Sequence, residues 1–321
     1  MPKRVIIDTD PGIDDAAAIL LALASPELSV EALTTVYGNG PVETCTANAF
    51  RILHAAGRLD IPVFQGAGKP LLRPPNEGWA SLIHGQDALG NSDSPLPPAS
   101  AQHTSSRHAA LEIIDRVTTS PGEITVLALG RLTNLALALS LEPSLAQSVA
   151  AIIVMGGAIA VPGNVSAVAS ANLYEDPEAA AIVYSSGATL VQVGLDVCNL
   201  VTISKPNLER IAAADTPTTR LLAAAATYLQ KSYVERGLLD PEAGVRFNDI
   251  PAVAYAIDSA LFQTVQWHVQ IETGSPLTRG QTVAHRHDLA GRTANATVCL
   301  DVDAHRLADL FTQRIVDYQP P

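Results

Sequence analysis

The sequence predicts an α/β fold: a single domain, residues 1–321, built on an open, mainly parallel central sheet. Three observations carry that prediction. Short apolar runs of strand length recur along the chain, each followed by a turn and then a helical stretch, which is the alternation of a parallel sheet. Polar residues sit repeatedly at the ends of those runs, where ligands bind in such sheets. With 321 residues and 47% hydrophobic content the chain can bury one large core, and no repeat or linker divides it.

The first strand is the β-branched run Val5-Ile6-Ile7, broken by Pro11-Gly12 and followed by a helix over Ala16 to Ala24. Leu28 to Val36 reads as a second strand running into Tyr37-Gly38-Asn39-Gly40, then a helix from Val42 to Ala56 and a short strand, Ile61 to Phe64. From Lys69 to Ser106 the texture turns to Pro, Ser, Gly and Asn, including Arg73-Pro74-Pro75-Asn76-Glu77-Gly78. This predicts long surface loops able to act as lids, with His84 a loop histidine. A helix over Arg107 to Thr118 and a buried strand over Ile124 to Leu129 follow. Gly130-Arg131-Leu132-Thr133-Asn134 then opens another helix. Strands over Ala151 to Val154 and Thr189 to Val193 end in Met155-Gly156-Gly157 and Gly194-Leu195-Asp196. The last third predicts an Ala-rich helix from Thr216 to Glu235, whose Tyr228 and Tyr233 serve equally well as core or as ligand contacts. It then predicts a helix beginning after Asp249, strands around a hairpin near Gly274 and Gly280, and a final helix from Ala304 to Val316.

The chemistry concentrates in Asp8-Thr9-Asp10-Pro11-Gly12-Ile13-Asp14-Asp15, where a strand hands over to a helix. Asp8 and Asp10 fall on one side of an extended strand, and Asp14 and Asp15 fall in a first helical turn, where the helix dipole favours negative charge. Carboxylates this close repel by about 1 to 4 kcal/mol per pair, and a helix terminus offsets only about 0.3 to 1 kcal/mol. A bound cation relieves the repulsion. The donors are hard oxygens, with no Cys or His nearby, so Ca²⁺ or Mg²⁺ fits better than zinc. Asp249, at another predicted helix start, is a candidate further ligand. A capping Asp with a Pro-Gly turn accounts for one of these residues and leaves the others unexplained.

Composition excludes several classes. Twenty basic against thirty-two acidic residues leave a net charge of −12, the wrong sign for a nucleic acid polymer partner. No apolar run is long enough for a membrane span, and the start MPKRVIID lacks the apolar region of a signal peptide, so a cytoplasmic protein is expected. Three scattered cysteines, Cys45, Cys198 and Cys299, fit neither a disulfide framework nor a zinc cluster.

The segments DTDPGIDDAAAI, TTVYGN, HGQDALG, GRLTN, MGG, GNVSAVASANLYEDPEAA and FNDIPAVAYAID, in that order over nearly the whole chain, resemble the inosine-uridine-preferring nucleoside hydrolase family. The resemblance implies a Rossmann-like nucleoside hydrolase fold and hydrolysis of a nucleoside or riboside to free base and ribose. It implies a Ca²⁺ ion, with Mg²⁺ the lesser alternative, that holds a water and the two ribose hydroxyls. Carried over by position, the cation ligands are Asp10, Asp15, Asp249 and the backbone carbonyl of Leu129, and Asp14 is the general base. Asn39, Asn164 and Asn172 match sugar-binding positions, Met155 lies near the sugar, and His84 is a substrate contact. A homodimer or homotetramer is implied by the same likeness, and Asp8 is expected to orient Asp10 or a backbone turn.

Three departures bear on specificity. Ser170-Ala171-Asn172 stands where the family commonly reads Glu-Phe-Asn, which removes the carboxylate that holds the ribose 5′-hydroxyl. Asn248 stands where many members have a histidine that contacts or protonates the leaving base, and Ala88 replaces a usual glycine. Two rival readings remain. A haloacid dehalogenase-like phosphatase would use Asp8-Thr9-Asp10 but leaves Asp14-Asp15 unexplained. A Ca²⁺-dependent nucleoside or ribose binder without catalysis would account for the missing histidine and glutamate.

Overall fold

A computed structural model describes residues 1–74, 80–102, 104–287 and 291–320. Among the described residues ten strands form its sheet: β1 (Lys3–Thr9), β2 (Leu28–Thr35), β3 (Val63–Gln65), β4 (Thr104–Ser105), β5 (Ile124–Ala128), β6 (Ala151–Met155), β7 (Leu190–Val193), β8 (Phe262–Ile271), β9 (Thr282–His285) and β10 (Ala296–Val302). Their spatial order is β4-β3-β2-β1-β5-β6-β7-β10-β8-β9. Pairings from β4 to β10 are parallel, and only β8 and β9 run antiparallel to their neighbours.

Alternation along the inner strands builds a core on each face. Val5 and Ile7 join one buried cluster and Ile6 the other; Leu127 and Ile153 lie on the first side, Val126, Ile152 and Val154 on the second. From β1 the chain adds β2, β3 and β4 on one side and then returns to add β5, β6 and β7 on the other. The direction of winding therefore switches between β1 and β5, and the crevice beyond their carboxyl ends is where an open parallel sheet binds ligands.

The tail forms the predicted hairpin, β8 against β9 with His268 opposite His285. Its last strand then inserts between β7 and β8, parallel to the former and antiparallel to the latter. The predicted loop segment holds a short helix, Ser81–His84, and a 3-10 turn, Ala99–Ala101. Pro75, Asn76, Glu77 and Gly78 of the predicted lid lie outside the described residues. No helix among the described residues is long and apolar enough to cross a membrane.

Candidate active site

The turn after β1 is built to bring Asp15 back against its own chain. Gly12 caps the helix Ile13–Leu23, and Asp15 in its first turn accepts hydrogen bonds from Gly12 N–H at 3.0 Å, Thr9 Oγ1 at 2.5 Å and Asp10 N–H at 3.3 Å. Asn39, after β2, closes the turn from the other side. Its Nδ2 donates to Asp15 Oδ2 at 2.8 Å and to the Asp10 carbonyl at 3.1 Å, while its backbone N–H donates to Asp10 Oδ2 at 2.7 Å. Position 12 has no room for a side chain: a Cβ there would stand 2.5 Å from Asn39 Nδ2 and 2.9 Å from His84 Nδ1.

Asp14, Asp15 and Asp249 each bring a carboxylate oxygen to within 4.8 Å of the others, all buried, at the wall of a cavity of about 260 Å³. Burial raises the pKa of each, and Asp14 and Asp15 raise that of Asp249 further by like-charge repulsion. Asp10 is also pushed well up by burial, against the pull of the Arg131 guanidinium. Four carboxylates thus share the cavity wall with two guanidinium groups, those of Arg131 and Arg246, an excess of negative charge displayed on hard oxygens. This donor set fits a divalent cation of the Ca²⁺ or Mg²⁺ kind.

Other parts of the predicted ligand set are engaged within the protein. Arg131, 2% exposed, donates from Nη1 to Asp10 Oδ2 and, at 3.2 Å, to Asn172 Oδ1. Asn172 Nδ2 in turn donates to the Leu129 carbonyl at 2.6 Å and to the Met155 carbonyl at 3.0 Å, joining the ends of β5 and β6. Ser170 Oγ accepts from Gly157 N–H at 2.7 Å and Asn164 Oδ1 from Ala171 N–H at 2.9 Å, so both side chains shape a loop that lines the cavity.

The comparisons with known proteins agree with one another. Residues 5–309 match the model of the inosine-uridine preferring nucleoside hydrolase family. The chain belongs to that family. Among relatives, the chain is 36% identical to the probable uridine nucleosidase 2 of Arabidopsis thaliana, with 98% of each chain covered. It is 37% identical to the pyrimidine-specific ribonucleoside hydrolase RihA of Citrobacter koseri, with 99% of each covered. The plant nucleoside hydrolase PpNRh1 superposes with a TM-score of 0.92 at 37% identity, covering 99% of this chain and 100% of that one. A purine-preferring ribonucleoside hydrolase from Gardnerella vaginalis gives 0.92 at 30%, covering 98% of each.

In this nucleoside hydrolase every residue singled out from the sequence for metal, sugar or base lines the one cavity, except Tyr228. Tyr228 and Tyr233 are five residues apart on the helix Pro217–Glu235, about 140° around its axis, so they face different surroundings. Tyr228 packs on the core, with its Cβ 3.1 Å from where a Cβ on Gly90 would stand. His84 is not a solvated loop residue: it ends a short helix, 6% exposed, and its Nδ1 accepts from Ile13 N–H at 3.3 Å and lies 3.7 Å from Asp14 Oδ1. Burial lowers its pKa to about 4, so it is neutral near pH 7. Asp8 is separated from the other carboxylates, because β1 stops at Thr9 and the alternation that would have paired Asp8 with Asp10 stops with it. Its Oδ1 instead accepts from Thr34 Oγ1 at 2.7 Å and Asn134 Nδ2 at 2.8 Å. Ala88 adopts a left-handed φ of 61°, which explains why a glycine suits that position.

The sequence reading gave no role to Arg131 or Arg246, both of which line the cavity, or to Asn134, which supports it from behind. The available signal was an arginine set among apolar residues, in Leu129-Gly130-Arg131-Leu132 and Val245-Arg246-Phe247.

Proposed function

We propose that this nucleoside hydrolase cleaves the N-glycosidic bond of pyrimidine ribonucleosides, with Asp14 as general base and a Ca²⁺ ion held by Asp10, Asp15, Asp249 and the Leu129 carbonyl. The observation that carries the reading is the convergence of the buried Asp14, Asp15 and Asp249 carboxylates within 4.8 Å at the switch point of the sheet. The ion, when bound, supplies Lewis acidity toward a water and a template for the sugar hydroxyls. Asp14 accepts the proton of the attacking water. Burial, which raises its pKa, makes it a stronger base than an exposed carboxylate. Asn39, Asn164 and Asn172 position the ribose, and Met155 packs beside it. A homo-oligomer in the cytoplasm belongs to the same reading and rests on family likeness.

The pyrimidine assignment is supported by the names of the uridine nucleosidase and RihA relatives. The test is release of free base and reducing sugar from uridine, cytidine, inosine and adenosine, by wild type and by Asp14→Ala. The expected outcome is turnover of the pyrimidine ribosides, reduced at least about a hundredfold in the variant, the usual scale of a lost general base. Tight nucleoside binding without release would establish a binding protein instead. Undiminished turnover by Asp14→Ala would remove the base from its role.

A further inference from the structure

Arg246 stands on the strip of chain that leads into the metal-ligand segment, two residues before Asn248 and three before Asp249. Its backbone is held from both sides. Val245 pairs with Ile203 through hydrogen bonds of 2.8 and 2.9 Å, and Phe247 is buried at 1% exposure in the core. With its neighbours on the core side, the extended backbone turns Arg246 the other way, and its side chain lines the active-site cavity. Among the described residues no carboxylate pairs with this guanidinium, and its buried Nε has no hydrogen-bond partner. Its charge is felt by the Tyr233 hydroxyl, beside Asn248. The other guanidinium of the cavity, Arg131, is engaged by Asp10 and Asn172.

Departure of the base is the step for which the cavity offers no obvious acid. As the C1′–N bond breaks, its electron pair goes to the base, and the base needs either a proton or a cation to receive that charge. Asn248 has no exchangeable acidic proton. His84 is neutral, with Nδ1 already used as an acceptor from Ile13. Burial pushes the Tyr233 phenol up, which weakens it as an acid. Arg246 is the remaining cation on the cavity wall.

Building on the hydrolase reading above, we propose that Arg246 stabilises the leaving base: its guanidinium donates hydrogen bonds to the carbonyl oxygen adjacent to the departing ring nitrogen, so that the base leaves as an anion. The water oxygen forms the new bond to C1′ and its proton goes to Asp14. The base anion then takes a proton from solvent and Asp14 returns its proton to solvent, so that atoms and charge balance without another reactant. This geometry selects for bases that carry a carbonyl next to the glycosidic nitrogen. Pyrimidines do, at O2; purines have no such group beside N9.

The experiment compares kcat/KM for uridine and for 4-nitrophenyl β-D-riboside, whose phenolate leaves without help, in wild type, Arg246→Met, Arg246→Gln and Arg246→Lys. Arg246→Met and Arg246→Gln should lose about a hundredfold or more on uridine, the scale of one lost charge-stabilising donor, and stay within about threefold on the nitrophenyl riboside. Arg246→Lys should recover part of the uridine activity. Turnover of the nitrophenyl substrate also reports that each variant is folded. Equal losses on both substrates would mean a structural role, and an unchanged uridine rate would remove Arg246 from the reaction; either overturns the inference. A wild type that cleaves neither substrate would refute the hydrolase reading itself, and the inference with it.

Discussion

Replacing Asn134 by Ala should destabilise the protein by about 3 to 5 kcal/mol while leaving the cavity lining intact. Asn134 is fully buried just inside the helix Thr133–Leu141 that follows β5. Its Nδ2 donates to Asp8 Oδ1 at 2.8 Å and to the Thr35 carbonyl at 3.0 Å, and its Oδ1 accepts from Ala67 N–H at 2.8 Å. One amide therefore ties β1, the end of β2 and the segment after β3 to the start of a helix. The alanine variant leaves three buried polar groups without that partner, each worth about 1 to 3 kcal/mol when unsatisfied, and their sum is reduced by relaxation and any water that enters. Asp8 feels the loss most, since its Oδ2 already has no partner. Urea denaturation of wild type and variant, compared at equal m-value, measures the difference. A loss below about 1 kcal/mol would refute the claim that this amide holds the strand ends together.

Two further outcomes follow from the site. His84, with its pKa lowered to about 4 by burial, is neutral across the pH range around neutrality. Its imidazole NMR shifts should therefore stay flat between about pH 5.5 and 8, and an inflection near its ordinary value of about 6.5 would show that the ring is solvated. Because Ser170 offers no carboxylate to the sugar, removing the 5′-hydroxyl of uridine should lower kcat/KM by less than about a hundredfold in the wild type and by more in Ser170→Glu. A wild-type loss above that limit would mean that another group holds the 5′ position.

The elements were legible because each declares itself locally. Val5-Ile6-Ile7, Ile124 to Ala128 and Ala151 to Met155 are largely apolar strand-length runs, each ending in a turn that holds a glycine, Gly12, Gly130 and Gly156. The pairing of the tail was not legible, since nothing local in Ala296–Val302 announces that it inserts beside β7 ahead of β8. Asp10, Asp14 and Asp15 could be picked out because they crowd a single strand-to-helix turn, and Asp249 because it stands at another helix start. The fate of Asp8 could not, because it depends on β1 ending one residue short of Asp10 and on Asn134 arriving from a different element. The long reach of Arg131 to Asp10, 121 residues away in sequence, is likewise a tertiary fact that no window of sequence contains. Helical geometry alone would have separated Tyr228 from Tyr233.

The central claim is that the buried carboxylates hold a functional divalent ion. Calorimetric titration of the chelator-stripped protein with Ca²⁺, run beside uridine hydrolysis at each step, tests it directly. One Ca²⁺ per chain should bind, activity should rise in proportion to the occupied fraction, and Asp249→Ala should lose both. Full uridine hydrolysis by stripped protein in excess chelator, or Ca²⁺ binding unaffected by Asp249→Ala, would contradict the account.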